Sequence, residues 1–313
     1  MKTWKNRALS IALLAGLFIC QQEVYAAEPA PGELILKYDR PANQQEMPAN
    51  FRTMQSPFKN LAAYPVQPTR QGLDEMQLSG SSYFSVNEFE EMVKKIPSAK
   101  ILVLDLRAES HGYLNENGVS WYSAYKSANR GLEKAQIEQV EHALLADTEQ
   151  KNTEIAVLNS DKSIASTDAV FVEKARTEKE FLDTQKIAYY RLPVLDYDAP
   201  ANERVDEFLD FYRKLPSDVW IHAHCEAGEG RTTMFLSMID MIHNAKMLTY
   251  DEIMTRQVLL GGQDLRISTS KDPVKKEGYL RRALFTKHFY EYVQANPNLK
   301  RSWSEWATEQ GYK

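Results

Sequence analysis

The feature that most constrains this chain is a short apolar run, residues 219–223, that passes through a glycine-bearing turn into helical periodicity over about 231–244. A buried strand feeding a helix through a tight turn is the unit of an α/β sheet. Other segments repeat the theme. The run Lys100-Ile101-Leu102-Val103-Leu104-Asp105 and the stretch 154–158 predict two more buried strands, and 187–192 a further one. Helical spacing falls on 85–96, with Ser85 and Asn87 as candidate caps, and on 130–146, 203–214, 250–259 and 278–294. Residues 107–118 predict a polar loop and 167–185 a charged helix or loop. No internal repeat is present.

The ends of the chain differ from this middle. Lys2, Lys5 and Arg7 precede a mostly apolar run over 8–20, and Val24-Tyr25-Ala26 offers small residues where a signal peptidase reads. Residues 1–26 therefore predict a secretory signal peptide. The run is too short for a membrane anchor, and Ile19 fits a lipidated Cys20 poorly. Residues 27–50, rich in Pro, Ala, Gln and Glu, predict a loosely ordered leader, and 51–313 a catalytic domain. The expected location is secreted or periplasmic, with no membrane contact after cleavage. Composition adds two exclusions. With 43% hydrophobic and 26% charged residues the chain has ample apolar surface for a core. A net charge of −5 argues against a general nucleic-acid binder.

Loss of residues 1–26 leaves one cysteine, Cys225, so no disulfide can form within the chain. That cysteine lies in His224-Cys225-Glu226-Ala227-Gly228-Glu229-Gly230-Arg231-Thr232-Thr233. The residues between Cys225 and Arg231 can curl with their N–H groups inward, making a nest for an oxyanion at a helix start. Gly228 and Gly230 permit the backbone angles of such a curl. Arg231 offers a planar fork for two phosphate oxygens. Cys225 lies on the floor, where the amides and helix dipole favour the nucleophilic thiolate.

The motif resembles the protein tyrosine phosphatase superfamily signature, His-Cys-x5-Arg-Ser/Thr. Further blocks resemble the bacterial tyrosine-phosphatase-like cysteine phytases. These are Val103-Leu104-Asp105-Leu106-Arg107-Ala108-Glu109-Ser110-His111-Gly112-Tyr113-Leu114, Val119-Ser120-Trp121-Tyr122 and Tyr189-Tyr190-Arg191, and the likeness covers roughly 50–310. It implies a phosphatase sheet flanked by helices, with a small β-rich subdomain. It implies Asp196, after Tyr189-Tyr190-Arg191, as the proton donor, with Asp198 as rival. Thr232 would hydrogen-bond Cys225, and His224 would hold the loop and tune the thiolate. Glu229 departs from the apolar residue of many relatives and should point outward.

A polyphosphorylated ring needs further cations. Arg266, Lys271, Lys275 and Lys276 form a basic cluster in sequence. The resemblance implies that this segment, with Lys162, Arg107, His111 and Arg52, lines the pocket, and that Asp105 and Glu109 orient the bases. Arg281 and Arg282 are expected on an exposed helix face. His222 and His224 lack a third ligand of a defined metal site, and no metal or organic cofactor is expected. The implied activity is hydrolysis of myo-inositol hexakisphosphate through a phosphocysteine. The alternatives are a phosphatase of phosphotyrosine proteins and a catalytically silent phosphate-binding module.

Overall fold

A computed structural model describes residues 33–43, 46–64, 67–268 and 270–312, so residues 1–26, with the expected signal peptide, lie outside it. In chain order the strands are β1 (Ile35–Arg40), β2 (Arg52–Thr53), β3 (Leu78–Ser82), β4 (Ile101–Arg107), β5 (His111–Leu114), β6 (Asn117–Tyr122), β7 (Asn152–Leu158), β8 (Ile164–Phe171), β9 (Ala175–Arg176), β10 (Ala188–Val194) and β11 (Trp220–Cys225). The helices are α1 (Val86–Val93), α2 (Lys134–Thr148), α3 (Glu178–Thr184), α4 (Asn202–Lys214), α5 (Gly230–Asn244), α6 (Tyr250–Leu259), α7 (Pro273–Ala295) and α8 (Trp303–Glu309).

The main sheet has the order β10-β4-β11-β3-β2, parallel except for β2 at its edge. Strands β4 and β11 are buried along their whole length, so neither presents a face to solvent. On one face Leu102, Leu104, Ile221 and Ala223 pack with Phe235, Leu236, Phe289 and Trp303 of the C-terminal helices. On the other, Val103 and Trp220 pack with Phe84, Phe89, Tyr113 and Phe181. The carboxyl ends of β4, β10 and β11 thereby converge at one edge, the usual place for a ligand in an open α/β sheet.

The second sheet, β8-β7-β1-β6-β5-β9, is antiparallel apart from the β1–β7 pairing. It covers a smaller core around Leu114, Val119, Trp121 and Leu145. It also corrects the reading of three segments. Residues 35–40, inside the stretch expected to be a loose leader, form β1: Leu36 and Tyr38 pack on the small core, while Lys37 and Asp39 alternate to the other side. The predicted polar loop 107–118 holds the hairpin β5–β6, whose pairing Leu114↔Asn117 closes a tight turn with Asn115 at φ 55°. Its polar residues are buried with partners, which composition does not reveal. Residues 167–185 divide among β8, β9 and α3.

Helix starts follow local capping. Ser85 and Glu88 form a capping box on α1. Helix α7 begins at Pro273, earlier than expected, because the Asp272 side chain accepts from Lys275 N and proline suits a first turn. Gly278 falls inside this helix; a Cβ there would meet Tyr197 O at 2.3 Å, so its lack of a side chain lets the loop after β10 lie against α7.

Candidate active site

Between the end of β11 and the start of α5 the backbone curls, and its carbonyls are held on the outside. Glu226 O accepts from Tyr83 N at 3.0 Å and Glu229 O from Thr233 N at 2.9 Å. Ala227 O accepts from Asn50 Nδ2 at 2.8 Å and Gly228 O from Arg52 Nη1 at 2.9 Å. Turning these carbonyls out turns the N–H groups in. Among the described residues, no N–H of 226–230 donates to another backbone group. The result is a concave ring of donors at a helix N-terminus, suited to an oxyanion. Gly228 has φ +74°, and a Cβ there would lie 2.3 Å from Ser82 N. Gly230 has no such dihedral; its missing Cβ makes room for Arg282, whose Nη1 would be 2.0 Å away. Glu229 is exposed.

Cys225 is 3% exposed at the floor of the ring, and Thr232 Oγ1 donates to its Sγ at 3.2 Å. Arg231 is fully buried and gripped by Glu109 through two bonds, Nη1–Oε2 at 2.6 Å and Nη2–Oε1 at 2.8 Å, with Val194 O accepting at 3.1 Å. Burial pushes the Glu109 carboxyl up, but the charges of Arg231 and Arg107 outweigh it and hold it far below the usual carboxylate range. A guanidinium fixed this way presents its plane without searching rotamers.

Asp196 follows β10 and lies at the mouth of the ring, with Oδ2 3.5 Å from Arg231 Nη2 and ion-paired to Lys126. Its rival Asp198 is bound by Arg281, Nη2–Oδ2 at 2.7 Å and Nε–Oδ1 at 2.8 Å, which ties it to α7 instead. Burial raises the proton affinity of Asp196, but Arg231 and Lys126 outweigh it, so its carboxyl sits below the ordinary value.

The expected cations divide into two groups. Arg52, Arg107 and His111 are buried and held by partners within the protein. Arg52 binds the Asn50 and Gly228 carbonyls and Thr233 Oγ1, each at 2.9 Å, and burial lowers it to about 10. Arg107 pairs with Asp39 at 2.8 Å and Glu109 at 3.0 Å. His111 lies 3.3 Å from Asp105 and 3.2 Å from Glu178. Arg107 and His111 differ from the expectation because β4 and β5 are buried along their length, where a charge persists only if neutralised, while Arg52 on the edge strand β2 is held by carbonyls and a hydroxyl.

Lys162 and Lys275 do reach the front. Lys162 Nζ lies 5.7 Å from the Tyr122 ring, and its charge interacts with Glu226, Lys126, Lys37 and Lys275. Lys275 Nζ stands 5.0 Å over the Tyr197 ring. Lys271 and Lys276 are exposed. Arg266 is turned to Asp264 at 2.8 Å and Asp251 at 3.3 Å. Glu226 faces this rim, pairing with Lys37 at 2.9 Å and with Lys126 at 2.5 Å.

Three cations here escape a reading of the sequence. Lys37 reaches the rim from β1, inside the stretch expected to be loose. Lys126 is brought inward by left-handed φ angles at Tyr125 and Lys126, both 53°. Arg282, expected on an exposed helix face, is 2% exposed; it stacks 4.5 Å over Tyr279, and its Nη1 has no hydrogen-bond partner among the described residues. Its charge senses those of Asp196 and Cys225. The spacing Lys275, Tyr279, Arg282 marks one helix face once the true start of α7 is known.

His224 turns to the opposite face of β11 from Cys225. Its Nε2 lies 2.9 Å from Glu178 Oε1, and its ring packs between Phe84 and Tyr83. It supports the strand leading into the ring and does not reach the reacting atoms. Both His222 nitrogens are engaged by Ser79 and Ser81, at 2.9 and 3.0 Å. Donor atoms of Asp105, Glu178 and His224 lie within 4.8 Å of one another, but this buried group already faces His111 and Arg191.

Comparison with known proteins agrees with this geometry. The PTP-like phytase family model, described as inositol hexakisphosphate, matches residues 104–243. The effector protein hopD2 of Pseudomonas syringae pv. tomato is 28% identical over 270 residues, covering 82% of this chain and 56% of that protein. The PTP-like myo-inositol phosphatase from Mitsuokella multacida, solved in complex with myo-inositol-(1,3,4,5)-tetrakisphosphate, is 34% identical with a TM-score of 0.83, over 90% of this chain and 50% of that one. The PTP-like phytase from Bdellovibrio bacteriovorus is 30% identical with a TM-score of 0.71, over 90% of this chain and 97% of that one. The chain thus spans about half the length of the first two. On the shared fold, the matched residues and the ring around Cys225, the chain belongs to the family of protein tyrosine phosphatase-like phytases.

Proposed function

We infer that this protein hydrolyses phosphate monoesters of inositol polyphosphates, with myo-inositol hexakisphosphate as substrate, through a phosphocysteine. The observation that carries this reading is the ring of free N–H groups above Cys225, closed by Arg231 and rimmed by Lys37, Lys126, Lys162, Lys275 and Arg282. A single phosphate needs only the ring. The cations beyond it have a purpose if the substrate carries several phosphates.

The reaction follows from the placement. The ring amides and Arg231 hold three phosphate oxygens, which leaves phosphorus facing Sγ. The S–P bond forms as the P–O bond to the inositol carbon breaks, and protonated Asp196 gives its proton to the departing alkoxide. Asp196, now a base, takes a proton from water as that water attacks phosphorus. The S–P bond breaks, and inorganic phosphate leaves. Thr232, donating to Sγ at 3.2 Å, stabilises sulfur as a leaving group in this second step.

The resemblance to phosphotyrosine phosphatases is tested by the same rim. Catalytic efficiency on inositol hexakisphosphate should exceed that on a phosphotyrosine peptide by at least about a hundredfold, since several charge-assisted contacts are lost. Equal efficiencies would assign the protein to phosphopeptides. Export is a further part of this reading, supported by the Lys2, Lys5 and Arg7 start and the apolar run after it. N-terminal sequencing of protein recovered outside the cytoplasm should begin at Ala27; a retained Met1 would refute it.

A further inference from the structure

We propose that Lys126 is a positioning residue that clamps the Asp196 loop to Glu226 of the ring and thereby sets the pH range over which Asp196 can serve as acid. This rests on the reading of Asp196 as the proton donor. Lys126 is 7% exposed, and its single ammonium is shared between Asp196 Oδ2 and Glu226 Oε2, carboxylates from opposite sides of the site. It also lies 5.3 Å from the ring of Tyr197, the residue after the acid. No other cation among the described residues pairs with both carboxylates.

The backbone shows that this placement is enforced. Lys126 closes a 3-10 turn, Ala124–Lys126, in which Tyr125 and Lys126 both have φ 53°. Two successive non-glycine residues in the left-handed region are unfavourable for an L-residue backbone. Tyr197, opposite, has φ 64°. Strain on both sides of one ion pair persists only where surrounding contacts demand it.

An acid must carry a proton before it can donate one. Asp196 is faced by Lys126 from the 3-10 turn, by Arg231 from α5, by Glu109 from the loop after β4, and by Tyr279 and Arg282 from α7. Lys126 is faced by Asp196, Glu226, Tyr197 and Glu109, with Lys162 nearby. Within this group Lys126 favours the ionised carboxylate, while Glu226 draws part of its charge away from Asp196. Removing Lys126 makes Asp196 hold its proton to higher pH; neutralising Glu226 does the reverse. A residue that only braced the loop would not give shifts of opposite sign.

The test measures kcat/KM against pH for the full chain on inositol hexakisphosphate, a poor leaving group, and on an aryl phosphate, a good one. The descending limb on the first substrate should move up by about one pH unit in Lys126→Met. It should stay in place in Lys126→Arg and move down in Glu226→Gln. The aryl phosphate limb should not follow. In an Asp196→Asn background Lys126→Met should move nothing further. A limb unmoved by Lys126→Met, or moved the same way by Glu226→Gln, overturns the proposal. If Asp196→Asn alone slows both substrates equally, the assignment of the acid has failed instead, which is a separate result.

Discussion

The two cation clusters of this site, one before the ring and one behind it, use the same residue types for opposite purposes. Behind the ring, Arg107, Arg191 and His111 are fully buried and matched by Asp39, Glu109, Asp105, Glu141 and Glu178. In front, Lys37 and Lys126 share Glu226 and hold Asp39 and Asp196 as well, Lys162 adds a further charge beside Glu226, and Arg282 stacks on Tyr279 with no carboxylate partner among the described residues. Carboxylates outnumber cations behind the ring, and cations outnumber carboxylates at the rim. Type and spacing alone do not separate the two, because the difference lies in which carboxylates the fold brings to each cation.

The sharpest break of this comparison is behind the ring. Arg191 binds Glu141 with Nη1 at 2.9 Å from each carboxylate oxygen, and both residues are buried. Arg191→Met should cost about 3–5 kcal/mol, read as a lowered denaturant midpoint, by leaving buried carboxylates uncompensated. A loss below about 1 kcal/mol would show that the rear cluster is not structural. Gly228→Ala acts on the ring itself. The strained φ and the contact with Ser82 should distort the donors and lower kcat by about a hundredfold, the scale of one lost oxyanion donor. Steady-state kinetics beside a melting curve separates this from unfolding. In front, Lys275→Ala should raise KM for inositol hexakisphosphate about tenfold and leave aryl phosphate hydrolysis unchanged, with stability unaltered. An equal change on both substrates would place Lys275 outside the rim.

The smallest effect sharpens the contrast through pH. Burial pushes the His111 imidazole down, but Asp105 and Glu141 outweigh it and raise it from 6.5 to about 9. A raised pKa means His111 contributes stability that is fully present below 6.5 and is lost as pH rises through about 9. The melting temperature should therefore fall across that window, and His111→Gln should flatten the slope. Carboxylates held low, such as Asp105 and Glu178, act in the other direction; their contribution is present at neutral pH and lost as acid protonates them.

Much of this was legible in the sequence where local chemistry dictates structure. The strand into Cys225, the turn and the helix after it follow from an apolar run, glycines and helical periodicity. Arg231 and Thr232 lie beside Cys225 at the helix start, where the motif puts them. What escaped depends on long-range pairing. Strand β1 lies in a Pro- and Gln-rich stretch, and its Lys37 reaches Glu226 across 189 positions of sequence. Arg282 looks like a surface residue until α7 starts at Pro273 and the missing Cβ of Gly230 admits it. Arg52, Arg107 and His111, expected to line the pocket, are buried with partners of their own. Which face a strand presents is set by the layers that cover it.

In this mechanism sulfur carries the phosphoryl group. The most direct measurement is rapid acid quench during turnover of inositol hexakisphosphate, followed by mass spectrometry of the peptide holding Cys225. One phosphoryl group should be found on Cys225, more abundant in Asp196→Asn, whose water-activating base is gone, and absent in an inactive Cys225→Ser. Turnover that persists in Cys225→Ser, with no adduct on the native enzyme, would contradict it.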